Sequence, residues 1–151
     1  MNILIIENEI YLAQKVVSRL LDDGHSCDYI ESPNIDNLTK EYDTILLSTS
    51  LPSALCKNII KRYSENAIIL LLVSYISDET VTNPIKDGAK DYIMKPFIMD
   101  ELVRKIYHYK ECRSIRRELQ TLREYFNFTM AEIDTTDVLL PPSFPTLIES
   151  N

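Results

Sequence analysis

Residues 68–97 read IILLLVSYISDETVTNPIKDGAKDYIMKPF. Ile68 to Val73 is an unbroken apolar run rich in β-branched and leucyl side chains, the pattern of a strand buried on both faces. Ser77 begins a helix and Gly88 ends it, but Pro84 sits inside. Proline removes a backbone donor and clashes with the preceding turn at a cost of about 3 kcal/mol, so this helix is expected to be short, kinked or displaced. Tyr92 to Met94 is the next strand and runs into Lys95-Pro96. Strand, helix and strand in this order form one parallel unit.

The same alternation extends toward the N-terminus. Ile3-Leu4-Ile5-Ile6 is a buried strand, followed by a helix with Leu12, Ala13, Val16, Val17 and Leu20 on one side. Gly24 stops that helix as a left-handed residue does. Cys27 to Ile30 is a second strand, and Pro33 opens a weak helix carrying Ile35 and Leu38. Thr44 to Leu47 is a third strand. After the loop at Leu51-Pro52-Ser53, the spacing of Leu55, Ile59, Ile60 and Tyr63 is helical. Five strand–helix alternations with right-handed crossovers make an α/β fold, a doubly wound five-stranded parallel sheet with helices on both faces. Sites in such sheets lie at the carboxyl ends of the strands. Those ends are Glu7 and Asn8, Ser48, Val73 and Ser74, and Lys95.

From Met99 the helical pattern continues to about Phe126, roughly 42 Å at 1.5 Å per residue. The segment from Asn127, with Pro141, Pro142 and Pro145, is expected to be an irregular acidic linker or tail in which Val138-Leu139-Leu140 can dock. Charge breaks at the same places. Residues 1–99 carry 9 basic and 14 acidic groups, residues 100–126 carry 7 and 5, and residues 127–151 carry 4 acids and no base. The resulting domain expectation is 1–112, 113–126 and 127–151.

With 151 residues the chain can bury a core without disulfides or a structural metal. Its net charge of −7 argues against a nucleic-acid-binding module within these residues. The longest apolar run, Ala67 to Val73, is far shorter than the roughly 20 residues a membrane helix needs. The N-terminus lacks the basic region of a signal peptide. Cys27, Cys56 and Cys112 are scattered and odd in number, which fits a reduced, cytoplasmic protein.

Three segments resemble the receiver domain of two-component response regulators: Ile3-Leu4-Ile5-Ile6-Glu7-Asn8-Glu9, residues Tyr42 to Pro52, and Asp87-Gly88-Ala89-Lys90-Asp91-Tyr92-Ile93-Met94-Lys95-Pro96-Phe97. They cover about residues 1–112 in the family's order and spacing. The resemblance implies the flavodoxin-like receiver fold and a phosphoryl transfer from a kinase histidine to an aspartate after the third strand. An acidic pair after strand one holds Mg²⁺ with that aspartate, and a hydroxyl residue and a lysine bind the phosphoryl group. Onto this sequence the acidic pair falls on Glu7 and Asn8, the acceptor on Ser48, the hydroxyl residue on Val73 and the lysine on Lys95. Only Glu7 and Lys95 keep suitable chemistry. An acyl phosphate needs a carboxylate, and Ser48 has no recognisable base beside it. Mg²⁺ wants several carboxylate oxygens, and one carboxylate remains. The expectation is an atypical, orphan receiver in which Lys95 neutralises Glu7 directly, without metal, cofactor or phosphorylation.

The resemblance further implies a cis Lys95-Pro96 bond and a switch aromatic at Tyr92, read here as fixed packing. Ser48 is a pocket-filling residue, or alternatively a Ser/Thr kinase site. His25 and His108 lack metal-ligand spacing and are expected at the surface. Cys27 and Cys56 are expected to be partly buried, while Cys112, near Lys110, Arg113 and Arg116, is a candidate redox thiol.

Leu102, Ile106, Tyr109, Cys112, Ile115, Leu119, Leu122 and Phe126 follow a spacing of 3 or 4. A receiver sheet covers only about half of such a helix, so the far end is expected to pair in a homodimer with a short coiled coil. The alternative is that Phe128, Val138 and Leu139 fold back onto it. Arg113, Arg116, Arg117 and Arg123 form a solvated basic face. The functional expectation is a regulatory, non-enzymatic module. Its dimers form through the extension and through the face between the helix starting at Ser77 and that starting at Met99. They serve a C-terminal output domain outside this chain that binds DNA, with neither membrane nor small-molecule substrate as partner. A stand-alone protein-interaction module and a thiol-based redox switch are the rival readings.

Overall fold

The computed structural model describes residues 1–32 and 34–136. Five parallel strands form one sheet in the order β2-β1-β3-β4-β5. They are β1 (Asn2–Ile6), β2 (Ser26–Ile30), β3 (Thr44–Ser48), β4 (Ile68–Val73) and β5 (Asp91–Met94). The helices are α1 (Ile10–Asp22), α2 (Ser53–Tyr63), α3 (Asn83–Asp87) and α4 (Met99–Thr136). The α/β architecture is therefore the one the alternation requires. Met1–Lys110 form one compact unit, and the residues from Glu111 belong to a second.

The period-two geometry of a strand divides each apolar run between two cores. Leu4, Ile6, Ile45, Leu47, Ile69, Leu71 and Val73 face Cys56, Ile59, Ile60 and Tyr63 of α2. Ile3, Ile5, Leu46, Leu70, Leu72 and Ile93 face Ala13, Val16 and Leu20 of α1 and Leu102, Val103 and Ile106 of α4. Both faces are covered, so β1, β3 and β4 carry no polar alternation. Each fully buried aliphatic side chain contributes about 1.5–3 kcal/mol of transfer free energy.

Local chemistry sets the ends of the elements. Gly24 follows α1 at φ 89°, as expected of a left-handed terminator. Gly88 stands at φ 132°, and a Cβ there would lie 2.7 Å from the Ser64 Cβ, so glycine is required twice over. The helix around Pro84 is short and irregular, within the expectation of a short, kinked or displaced helix. A π-helical turn, Asp78–Thr82, precedes the five residues of α3. Ser77 caps that turn. Its Oγ accepts from the Thr80 amide at 3.1 Å, and its own amide donates to Thr80 Oγ1 at 2.9 Å.

Two expectations are corrected. The weak helix at Pro33 reduces to the 3₁₀ turn Ile35–Asn37, because Ile35 and Leu38 supply too short an apolar face to propagate a helix. The last helix does not end near Phe126 but continues to Thr136, since nothing between Asn127 and Thr136 is a proline or glycine. Val138, Leu139, Leu140 and the three following prolines lie outside the described residues.

Candidate functional site

Glu7 leaves β1 at its carboxyl end, Ser48 ends β3, and Lys95 follows β5. Because β1 and β3 are neighbours, Glu7 and Ser48 emerge side by side. β5 lies two places from β3, so only a long side chain passing over the end of β4 brings an ammonium to them. The Lys95 amide donates to the Val73 carbonyl at 2.8 Å, which fixes the start of that side chain. The Lys95-Pro96 peptide is cis, as the resemblance implies.

Lys95 Nζ lies 2.8 Å from Glu7 Oε1 and 3.1 Å from Ser48 Oγ. Glu9 Oε1 stands 3.7 Å from the same ammonium. The Glu7 side chain is 0% exposed and that of Lys95 7%, so this ion pair is withdrawn from water. Glu7 Oε1 also accepts from the Glu9 amide at 3.1 Å, while Oε2 has no hydrogen-bond partner among the described residues. The Glu7 carbonyl accepts from the Tyr29 hydroxyl at 3.0 Å. Ser48 Oγ accepts a second hydrogen bond from the Ser50 amide at 3.3 Å. Its two lone pairs are thus both engaged, by a cation and an amide. A serine held this way presents no lone pair to an incoming electrophile.

The structure brings Glu7, Ser48 and Lys95 together and leaves two other sequence candidates apart. Asn8 is exposed. Val73 is wholly buried in the apolar cluster against α2 and offers only methyl groups to that core. Tyr92 is half-buried against the same cluster. Glu9 was not a candidate; its place two residues beyond Glu7 is the signal that puts a second carboxylate near Lys95. Among the described residues, no group of three His, Cys, Asp or Glu side chains is arranged to hold a metal ion.

His25 is a correction: it is buried, not at the surface. Its Nδ1 lies 3.3 Å from the Met1 ammonium and its Nε2 3.0 Å from the Tyr107 hydroxyl. Desolvation, then the Met1 ammonium and Lys110, hold its pKa below the ordinary imidazole value, against a weaker pull from Asp23. The cysteines also differ from one another. Cys56 is buried and its thiol is pushed up to about 11, so it is inert at neutral pH. Cys27 is half-buried and likewise raised, chiefly by burial, whereas Cys112 is exposed.

The apolar stripe of α4 divides in two. Leu102 and Ile106 are buried against the sheet, and the Tyr109 hydroxyl donates to Asp91 Oδ2 at 3.0 Å. These three are committed within their own unit, which removes them from the expected partner-facing stripe. Ile115, Leu119, Leu122 and Phe126 are 45–62% exposed. Phe128 is itself helical and 65% exposed, which corrects the expectation that it folds back.

No protein-family model matches the chain. It is 36% identical over 112 residues to the response regulator ArlR of Staphylococcus haemolyticus, and 33% identical over 113 residues to the transcriptional regulatory protein DltR of Streptococcus agalactiae. Each match takes in 70% of this chain and 50% of the relative, so the chain spans about half the length of the curated relatives it matches. Among solved structures, a two-component response regulator from Clostridium difficile superposes with a TM-score of 0.60 at 26% identity, over 70% of this chain and 92% of that one. These similar proteins are thus, by name, a response regulator, a transcriptional regulatory protein and a two-component response regulator. No helix among the described residues is long and apolar enough to cross a membrane.

Proposed function

We propose that residues 1–112 are a response-regulator receiver domain that works without phosphorylation, as the regulatory and dimerisation module of a cytoplasmic transcriptional regulator. Residues 113–126 extend it as a dimerisation segment, and residues 127–151 lead toward an output domain outside this chain. The curated relatives are transcriptional regulators about twice the matched length, and a DNA-binding output is what the family resemblance implies for the remainder. The chain is read as an atypical, orphan member of that group, with no enzymatic role.

One observation carries this reading: in a pocket closed to water, the Lys95 ammonium is bonded to both the Glu7 carboxylate and the Ser48 hydroxyl. The buried carboxylate of Glu7 is thus neutralised at rest by Lys95. In a receiver that uses Mg²⁺, the cation relieves repulsion between carboxylates, which at about 4 Å amounts to roughly 4 kcal/mol at an effective dielectric near 20. Here the Lys95 ammonium, 2.8 Å from Glu7 and 3.7 Å from Glu9, takes that role, and a cation entering beside Glu7 would have to displace it.

The test is incubation of the full chain with acetyl phosphate and Mg²⁺, followed by intact mass. The expected result is an unchanged mass, with no Mg²⁺-dependent shift of the Glu7 and Ser48 amide resonances at millimolar concentration. A phosphoryl adduct on the chain, whether a stable ester at Ser48 or a labile acyl phosphate on a neighbouring carboxylate, or saturable Mg²⁺ shifts at those amides, overturns the reading. Ser48→Asp alone is expected to leave phosphorylation far below that of an active receiver, because Asn8 and Val73 still supply neither a second carboxylate nor a hydroxyl.

A further inference from the structure

The exposed stripe of α4 has a register that its charges make specific. Cys112, Ile115, Leu119, Leu122, Phe126 and Thr129 are separated by 3, 4, 3, 4 and 3 residues, the a and d positions of successive heptads. The flanking e positions are then Arg116, Arg123 and Met130, and the flanking g positions are Glu111, Glu118 and Tyr125. Cys112, Ile115, Arg116, Leu119, Gln120 and Arg123 line one continuous groove on this segment. Among the described residues, no ion pair engages Glu111, Arg116, Glu118 or Arg123.

In a parallel two-stranded coiled coil, each g residue faces the e residue five positions later on the other helix. Here that places Glu111 opposite Arg116 and Glu118 opposite Arg123, and by two-fold symmetry each pair occurs twice. The third pair, Tyr125 with Met130, is apolar. An antiparallel arrangement sets e against e and g against g, which would oppose arginine to arginine and glutamate to glutamate. A one-heptad stagger would leave Glu111 of one helix and Arg123 of the other without these partners. Apolar positions and charges therefore select the same occupant and the same alignment.

We propose that residues 111–130 are built to pair with a second copy of this chain as a parallel, in-register coiled coil, with Glu111–Arg116 and Glu118–Arg123 contacts setting its direction. This rests on the dimeric reading above and specifies it. With about three heptads and a cysteine, a phenylalanine and a threonine in the seam, the coil is short, and its alignment depends on charge more than on apolar area.

The experiment uses the full chain and reads its mass in solution by light scattering. Arg116→Glu with Arg123→Glu makes every charged flank acidic, and Glu111→Arg with Glu118→Arg makes every charged flank basic. Each pair of substitutions is expected to halve the mass, and all four together in one chain are expected to restore the dimer. Circular dichroism of each variant checks that the fold is retained. Direction is read separately with diamide, which is reduced to the hydrazine as it takes two electrons and two protons from two thiols. Parallel pairing puts the two Cys112 thiols face to face. Antiparallel pairing about the same segment parts them by about 25 Å at 1.5 Å per residue. The expected result is a covalent dimer from the parent chain and none from Cys112→Ser. A dimer that ignores the charge changes, or that does not cross-link at Cys112, overturns the parallel coil but leaves dimerisation through another face. A parent chain that is monomeric overturns both.

Discussion

The pocket at the strand ends and the segment from Glu111 depart from the usual distribution of polarity in opposite directions. In the pocket a carboxylate and an ammonium are buried; on the helix a row of large apolar side chains, Ile115, Leu119 and Leu122 among them, faces solvent. The pocket charges are paired, Glu7 Oε1 with Lys95 and Lys95 with Ser48, and only Glu7 Oε2 is left without a hydrogen-bond partner among the described residues. Ile115, Leu119 and Leu122 of the helix have no such compensation among the described residues. A buried charge that has its partner marks a closed site, whereas an exposed apolar row that lacks one marks a surface still to be covered.

Breaking the compensation in the pocket has the largest expected effect. Lys95→Met leaves the Glu7 carboxylate buried beside a methyl group and is expected to destabilise the fold by about 3–5 kcal/mol. Urea denaturation at pH 7 measures this. Adding Glu7→Gln to the same chain is expected to recover most of the loss, because no charge then remains buried. Recovery of nothing would mean that packing, not pairing, holds the site.

Ser48→Ala is expected to cost about 1–2 kcal/mol by the same measurement, the worth of the acceptor lost to Lys95 and to the Ser50 amide. The Glu7–Lys95 pair survives that change, so the cost should fall well short of that of Lys95→Met. Equal costs would remove the distinction between the charge pair and its hydroxyl neighbour.

His25 adds a buried group that faces like charge. Desolvation, the Met1 ammonium and Lys110 lower its pKa, so the unfolded chain binds more protons than the folded one below about pH 6.5. Stability is therefore expected to be level above that pH and to fall as pH drops below it. His25→Asn should remove the part of the slope between pH 6.5 and 5 that its own titration contributes. Denaturation curves at several pH values check this; an unchanged slope would mean that carboxylates alone produce it.

The smallest expected effect on folding comes from the helix. Leu119→Ser with Leu122→Ser removes side chains that are 51% and 62% exposed, and residues Met1–Lys110 should change stability by no more than about 0.5 kcal/mol. The solution mass should nevertheless halve. A double variant that stays dimeric would show that the exposed row is not what joins the copies.

Much of this was legible beforehand because the informative signals are local. Each strand announces itself as a short apolar run, Gly24 and Gly88 mark turns that need positive φ, and Pro84 disrupts its helix wherever that helix lies. The pocket residues were legible because a parallel sheet places every site at strand ends, so Glu7, Ser48 and Lys95 had to converge once the strand order was set. The helix end near Phe126 was misread because a fall in basic charge is not a stop signal. Ending a helix takes a breaker or a cap, and none occurs before Thr136.

What the sequence by itself determined was the alternation of elements, the class of sheet and the presence of a serine, not a carboxylate, at the end of β3. Those follow from periodicity and residue type, which act over a few neighbours. Only the tertiary structure decided that His25 is buried, through Tyr107 lying 82 residues away. It likewise decided that the stripe of α4 is two stripes, one spent on the sheet and one exposed. Burial is a property of what packs against a residue, and a helical period of 3.6 is the same whether a sheet covers that face or water does.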